Sequence, residues 1–371
     1  MELKSVTMLL AILLTANSFT AYGQNQTDVD AIIKNALELR MTGKYEESIT
    51  QLNLALDMDP KNIKIFSEKG NTRLIQGKYV KSLQNFEKAL DIDPEYADAL
   101  NGKAAALYYL DRYDDAINTY NLVLEKDPQN SKAIIGLGLV FAKLGQFDDA
   151  ILYFNIALEK DPSDIAALNA KGTALLKINQ YEDAIESFDQ VLEINPDNVD
   201  AMTGKGMAYF EQRDFENARI QFQDAASMQP NNIDALFGLA ELDYNSEKFI
   251  KSLQYYEQII AIDPDNSKAL LGKANTLVKL GKTNDAIWYY DEALEVDPHN
   301  VGILEQKDSV TKDRFAQSID LLILLGVAAS VTSLFSFSWR IKNRKQDART
   351  IARISDIEDK IERILTKLDK N

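Results

Sequence analysis

Residues 131–164 read SKAIIGLGLVFAKLGQFDDAILYFNIALEKDPSD, and residues 165–198 read IAALNAKGTALLKINQYEDAIESFDQVLEINPDN. Laid one above the other, they match Gly138 with Gly172, Phe147 with Tyr181, Ala150 with Ala184, Phe154 with Phe188 and Pro162 with Pro196. The same period runs through the chain. Its eight prolines are Pro60, Pro94, Pro128, Pro162, Pro196, Pro230, Pro264 and Pro298, each 34 residues from the next. A compact single domain has no reason to space every proline evenly, whereas an array of identical supersecondary units does.

Eight units fit between Val29 and Asn300. Their eighth position holds Ala36, Gly70, Ala104, Gly138, Gly172, Gly206, Ala240 and Ala274, and their twentieth is Ser or Ala throughout. Small residues are what two closely approaching helix backbones need. The twenty-fourth is large: Leu52, Phe86, Tyr120, Phe154, Phe188, Phe222, Tyr256 and Tyr290. An aromatic occupies the seventeenth in seven units, from Tyr45 to Phe249, and Thr283 takes its place in the eighth. Positions 4, 8 and 11, then 17, 20, 21, 24, 27 and 28, share one face each at helical spacing. Two helices per unit follow.

The fifteenth position divides them. Gly43, Gly77, Gly145 and Gly281, with Asp111 and Asn179, suit a left-handed residue closing the first helix. Arg213 and Glu247 do not, which predicts strained or looser turns in units six and seven. Each unit ends on a proline, which cannot continue a helix, usually followed by an Asn that can cap the next one.

Composition excludes several chemistries. With 41 Lys plus Arg against 57 Asp plus Glu, a net charge of −16 disfavours nucleic acid. The absence of cysteine removes thiol nucleophiles and thiolate metal sites, and the one histidine, His299, leaves no His-based triad or multi-His metal site. Gly204-Lys-Gly206 lies inside a helical stretch and matches neither a P-loop nor a dinucleotide fingerprint. The expectation is a chain with no cofactor, no metal and no enzymatic activity.

Small residues at positions 8, 20 and 27, an aromatic at 24 and Pro at 32 of a 34-residue unit resemble the tetratricopeptide repeat over Val29–Asn300. The resemblance implies an all-α, right-handed superhelical solenoid of eight helical hairpins, whose first helices line a concave groove for a protein or peptide. It implies no reaction. The chain departs from the family at position 7, where Lys69, Lys103, Lys171, Lys205 and Lys273 replace the usual leucine. These lysines read either as stems packed along the seam between repeats with the ammonium at water or a carboxylate, or as a column of cations for an acidic ligand. The family's carboxylate clamp is missing: Asn71 and Lys132 meet its pattern, but Ser67, Gly102 and Gly136 break it.

The groove should be lined by positions 2, 5, 9 and 12. The candidate partner-binding residues are Asn101, Tyr108, Asn169, Thr203, Phe210, Phe237, Glu241 and Tyr244, with Ile135, Leu139 and Thr173 among them. Such aromatics and amides suit an extended segment or a helix, or else the aromatics simply fill the inside of the array. Phe210, Phe237 and Tyr244 are expected on one patch, off the seams that hold the hairpins together.

The two ends predict topology. Residues 1–23 have a weakly basic start, an apolar stretch from Val6 to Ala16, and Ala21-Tyr22-Gly23 before Gln24, as in a signal peptide. Asn25-Gln26-Thr27 is a glycosylation sequon. Residues 301–318 read as a capping helix. Residues 319–339 read as a transmembrane helix around the charge-free run Leu321–Trp339. Six Lys or Arg occupy residues 340–354 against three in 304–318, which puts the tail in the cytoplasm and the repeats on the extracytoplasmic side. In the tail, Ile354, Ile357, Ile361, Ile364 and Leu368 form a short seam. It suits either a coiled coil, hence a homo-oligomer, or a helix lying on the membrane. The functional expectation is a membrane-anchored scaffold offering its groove to proteins. The alternative is a surface accessory that binds a glycan or polymer for an enzyme complex.

Overall fold

In the computed structural model, residues 28–343 and 348–368 are described. The expected signal peptide and the sequon lie outside them, as do residues 344–347 and 369–371.

All regular structure among the described residues is helical. The first hairpin pairs α1 (28–41) with α2 (Tyr45–Met58). The next five pair α3 (Ile63–Ile75) with α4 (Tyr79–Leu90), α5 (Ala97–Tyr109) with α6 (Tyr113–Lys126), α7 (Ser131–Lys143) with α8 (Phe147–Lys160), α9 (Ile165–Lys177) with α10 (Tyr181–Ile194), and α11 (Val199–Glu211) with α12 (Phe215–Met228). Then come α13 (Ile233–Asn245) with α14 (Phe249–Ile262) and α15 (Ser267–Lys279) with α16 (Thr283–Val296). Two further helices follow, α17 (Val301–Asn343) and α18 (Ala348–Leu368). The chain divides into two compact units, residues 1–242 and 243–371. The first contains six hairpins and the start of α13; the second contains the rest.

Each turn repeats one local solution. All eight residues at the fifteenth position are left-handed, from Gly43 at φ +76° to Gly281 at +72°. Arg213 (+63°) and Glu247 (+58°) adopt it too. Units six and seven therefore keep the same tight turn and carry the side-chain strain, and the turns are not looser. The reason is the hydrogen bonding behind the turn: the Asp214 N–H donates to the Tyr209 carbonyl at 2.9 Å, as the Gln146 N–H does to Phe141 at 2.9 Å. These bonds satisfy helix-end carbonyls that would otherwise be orphaned. At the far end of the unit, the side chains of Asn62, Asn130, Asp164, Asn198, Asn232, Asn266 and Asn300 accept the N–H three residues on and cap the next helix.

Packing explains the small positions. The ring at position 24 is inserted between two helix backbones: Phe86 lies against Gly70 and Gly102, Phe188 against Gly172 and Gly204, and Phe222 against Gly206 and Gly238. The first glycine of each pair is the expected eighth position of the same unit. The second is the sixth position of the next unit, which the sequence reading did not single out. One ring thus closes its own hairpin and the seam to the following one.

Helix α17 continues the register. Ile303 is buried where other units bury their third position, and Lys307 pairs with Asp291 as the seventh-position lysines do. Its start is therefore a first helix without a second. It then runs unbroken to Asn343, so capping helix and apolar run are one element with no joint at 318–319. Ile323, Leu324, Leu325 and Phe335 on it are exposed. Among the described residues no helix is long and apolar enough to cross a membrane, and the side chains of 321–322 and 337–339 fall outside that description.

Candidate functional site

In the first compact unit the open side chains of the first helices include Leu139 and Thr173 at the ninth position and Met41, Ile75 and Tyr109 at the thirteenth. Three of the position-7 lysines, Lys69, Lys205 and Lys273, are engaged elsewhere. Lys205 Nζ lies 2.5 Å from Asp189 Oδ1, Lys273 Nζ lies 3.1 Å from Glu257 Oε1, and Lys69 Nζ donates to Asn53 Oδ1 at 2.7 Å. Every partner stands sixteen residues earlier, on the second helix of the preceding unit. Lys273 is buried apart from its head group, which sits 4.2 Å from the Tyr289 ring centre. The lysines observed in such pairs are seam residues, and no column of free cations forms from them.

The fifth-position amides are also largely turned inward. Asn101 is buried and donates through Nδ2 to Asn130 Oδ1 at 3.2 Å; Asn169 does the same to Asn198 at 3.5 Å. The acceptor in each case caps the next unit's first helix, so these amides tie successive units together. Thr203 is buried, and its hydroxyl donates to the Val199 carbonyl at 2.8 Å. Among the candidate residues in the first compact unit, Leu139 and Thr173 are exposed, while Tyr108, Ile135, Asn169, Phe210, Phe237 and Glu241 are half-buried. Tyr244, in the second unit, is half-buried.

The twelfth-position aromatics differ from expectation. Tyr108 packs against Tyr113 with ring centres 6.2 Å apart, Phe210 against Phe215 at 5.6 Å, and Tyr244 against Phe249 at 5.7 Å. Each partner is the seventeenth-position ring of the same hairpin, across its turn. These rings therefore belong to hairpin packing, contrary to the expectation that they stand off the seams.

The largest aromatic grouping with open surface lies around Tyr108. Tyr79 and Tyr109 stack at 4.8 Å with planes 6° apart, Tyr109 meets Tyr108 edge-on at 5.0 Å, and Tyr108 reaches Tyr113. Tyr109 is 51% exposed. It continues a row at the thirteenth position, 34 residues apart, with Ile75 (58% exposed) and Met41 (86%). Burial, then the neighbouring tyrosines, push the Tyr108 phenol up; the bond Tyr113 donates to Asp111 Oδ1 at 2.6 Å pushes that phenol up as well. Tyr108 and Tyr113 are thereby held as neutral donors at ordinary pH, and all four rings offer broad faces for stacking or apolar contact. Of them the sequence reading named only Tyr108. The missed signal was position 13, apolar in the first three units and Lys, Lys, Glu, Asn and Lys in the last five.

Among the described residues no group of three or more His, Asp or Glu could hold a metal. Two surface dents, one at Pro60, Phe66 and Ile92 and one at Pro264, Leu270 and Val296, occupy the same place in their repeats. They follow from the repeat geometry.

Comparisons with known proteins agree with this architecture. Residues 169–233 match one tetratricopeptide-repeat model, and residues 73–134 and 246–301 match another. Residues 110–191 match a model of anaphase-promoting complex, cyclosome, subunit 3. No curated protein matches. Among solved structures, the anaphase-promoting-complex hetero-tetramer Cut9-Hcn1 aligns over 72% of this chain and 52% of its own at 16% identity and a TM-score of 0.61. Yeast Tom70 aligns over 77% and 64% at 18% identity and a TM-score of 0.56. A tetratricopeptide repeat protein from Parabacteroides merdae aligns over 67% and 98% at 15% identity and a TM-score of 0.54. The chain thus spans about half the length of the first of these structures, and at such identities the likeness concerns the fold alone. The helical hairpins within residues 73–134, 169–233 and 246–301 are tetratricopeptide repeats.

Proposed function

We propose that this chain is a membrane-anchored scaffold that holds a protein or peptide segment on the first-helix side of its repeats. The carrying observation is the exposed row Met41, Ile75 and Tyr109, backed by the tyrosines at 79, 108 and 113. A folded solenoid can leave single apolar side chains open, but open apolar residues recurring at one repeat position beside stacked aromatics have the composition of an interface centre. Repeats offer a long ledge for an extended chain or a helix, and the acidic balance of the array favours a segment carrying basic residues beside its apolar anchors.

The anchor rests on the charge-free run Leu321–Trp339, which lies inside one continuous helix and is followed at once by Arg340, Lys342, Arg344 and Lys345. Nineteen residues at ~1.5 Å each match a hydrocarbon core of ~30 Å. By the positive-inside rule, the basic flank supports a topology with residues 340–371 in the cytoplasm and the repeats outside it. Full-length chain expressed in its host is expected to remain in the membrane pellet through alkaline carbonate. Protease added to spheroplasts is expected to digest the repeats and spare the tail. Release by carbonate sinks the anchor, and protection of the repeats inverts the topology. For the scaffold, in-cell cross-linking from the repeat face is expected to give a defined protein adduct that Tyr109→Asp abolishes. Recovery of polysaccharide alone would support the glycan reading in its place.

A further inference from the structure

Helix α18 is amphipathic, with Ile357 and Ile364 open on its apolar side, and its charges identify what covers that side. Ile354, Ile357, Ile361 and Ile364 recur at alternating intervals of three and four, with Ile357 42% and Ile364 58% exposed. Written as a heptad, Ile354 and Ile361 take a, Ile357 and Ile364 take d, Glu358 and Leu365 take e, and Arg353, Lys360 and Lys367 take g. Two occupants compete for that face: the membrane surface and other copies of the same helix.

The polar side decides between them. A helix that lies on anionic headgroups carries Lys and Arg there. Residues 348–368 instead interleave Asp356, Glu358, Asp359 and Glu362 with Arg349, Arg353, Lys360, Arg363 and Lys367, leaving a net charge of only +1. That is too small a charge to hold the helix on a lipid surface, where each basic residue contributes about 1 kcal/mol. The orientation follows from the flanks. Between parallel copies, g of one helix faces e of the next, bringing Arg353 to Glu358. Between antiparallel copies, g faces g, so Arg353, Lys360 and Lys367 would be set against one another. Lys360 is already held by Asp356 of its own helix at 2.8 Å and adds little to either arrangement. Isoleucine at both a and d disfavours two strands and favours three or four. The geometry points to one assembly: α18 joins α18 from two further copies of this chain as a parallel, in-register, three-stranded coiled coil through Ile354, Ile357, Ile361 and Ile364. The scaffold would then present three repeat arrays together, and avidity for a repetitive partner would rise by the factor that linked binding gives.

The chain has no cysteine, so one introduced thiol reports on contact without background. In full-length protein in membranes, Ile357→Cys is expected to form an interchain disulfide on mild oxidation, because like d positions meet only in a parallel, in-register seam. Adding Ile361→Lys is expected to abolish it. Adding Glu358→Arg is expected to reduce it several-fold, and Arg353→Glu together with Glu358→Arg to restore it. Light scattering of the detergent-solubilised wild type is expected to give three chains, and Ile361→Lys one. Absence of the disulfide, its survival in Ile361→Lys, or failure of the charge exchange to restore it overturns the parallel seam. A two-chain mass overturns the three-stranded state. Loss of α18 assembly with a normal Tyr109-dependent adduct would leave the scaffold reading standing, so the two ideas fail separately.

Discussion

The ring of Phe188 lies so close to Gly204 that a Cβ on the glycine would come within 2.3 Å of Phe188 Cζ, and on its other side a Cβ on Gly172 would come within 2.8 Å of Phe188 Cε1. The two glycines belong to successive units, so a single side chain joins a hairpin to its neighbour. The ring has no direction of retreat. Gly204→Ala gains about 1 kcal/mol of helix propensity and loses roughly 1–3 kcal/mol to overpacking. A net loss of about 1 kcal/mol is expected in thermal melting, and a few kcal/mol for Gly172→Leu. Gly302 in α17 is a control of opposite sign. A Cβ there meets only Asn300 Oδ1 at 3.4 Å, so Gly302→Ala is expected to raise the melting temperature.

The turns at Arg213 and Glu247 invite the reverse experiment. A left-handed residue with a Cβ costs about 1–2 kcal/mol, while glycine returns roughly 0.5–1 kcal/mol of that through its freer unfolded chain. Arg213→Gly is therefore expected to stabilise the array by about 0.5–1 kcal/mol. Gly145→Arg should destabilise it by a similar amount, since Gly145 sits at φ +78° with open space around its Cα. Equal melting of wild type and Arg213→Gly would mean that the arginine side chain earns its place in some other way.

Acid should weaken one seam. Glu46 accepts from Arg73 Nη1 at 2.8 Å, from Lys78 Nζ at 2.7 Å and from Gln76 Nε2 at 2.9 Å. The Arg73 bond first, then Lys78 and Gln76, hold its carboxyl well below the ordinary glutamate range. A depressed folded pKa contributes stability that is complete above the unfolded value of about 4.3 and fades as pH falls below it. The carboxylate is exposed, so salt reduces the effect. The melting gap between wild type and Glu46→Gln is expected to be widest near pH 7 and to narrow below pH ~4. A gap unchanged at pH ~3 would show that the glutamate contributes through packing rather than charge.

The repeat itself was legible because Gly138, Phe154 and Pro162 have equivalents in every copy, and eight copies separate a packing requirement from chance. The sixth position escaped notice because Lys34, Glu68 and Ala170 interrupt its glycines, although Gly102, Gly136, Gly204, Gly238 and Gly272 were there to be read. Glu68 is tolerated since the position-24 residue before it is Leu52, the one non-aromatic residue at that position. The contact of Phe210 with Phe215 was hidden for a geometrical reason. Helical spacing relates residues within one helix, and a left-handed turn resets the phase between positions 12 and 17. Exposure of the thirteenth position depends on what the neighbouring unit lays over it, which a single unit's pattern does not contain.

The candidate interface makes the last prediction. Phe210 is half-buried against Phe215, so Phe210→Ala is expected to destabilise the array by roughly 2 kcal/mol, about half the cost of emptying a core phenylalanine site, and any loss of binding with it would be ambiguous. Tyr109 separates the two effects. Half of its surface is open, and its ring contacts are to Tyr79 and to Tyr108, the latter also packed on Tyr113 of the same hairpin. Tyr109→Ala is expected to cost under about 1 kcal/mol of stability, the range for a surface ring with one stacking partner. If the row Met41, Ile75 and Tyr109 is where a partner sits, the same change should weaken binding by about 2 kcal/mol or more, as an aromatic anchor does. Melting and binding measured side by side on Tyr109→Ala and Phe210→Ala distinguish the cases. A Tyr109→Ala protein that melts and binds like wild type would move the site away from the first three repeats. Loss of binding at unchanged melting would locate it there.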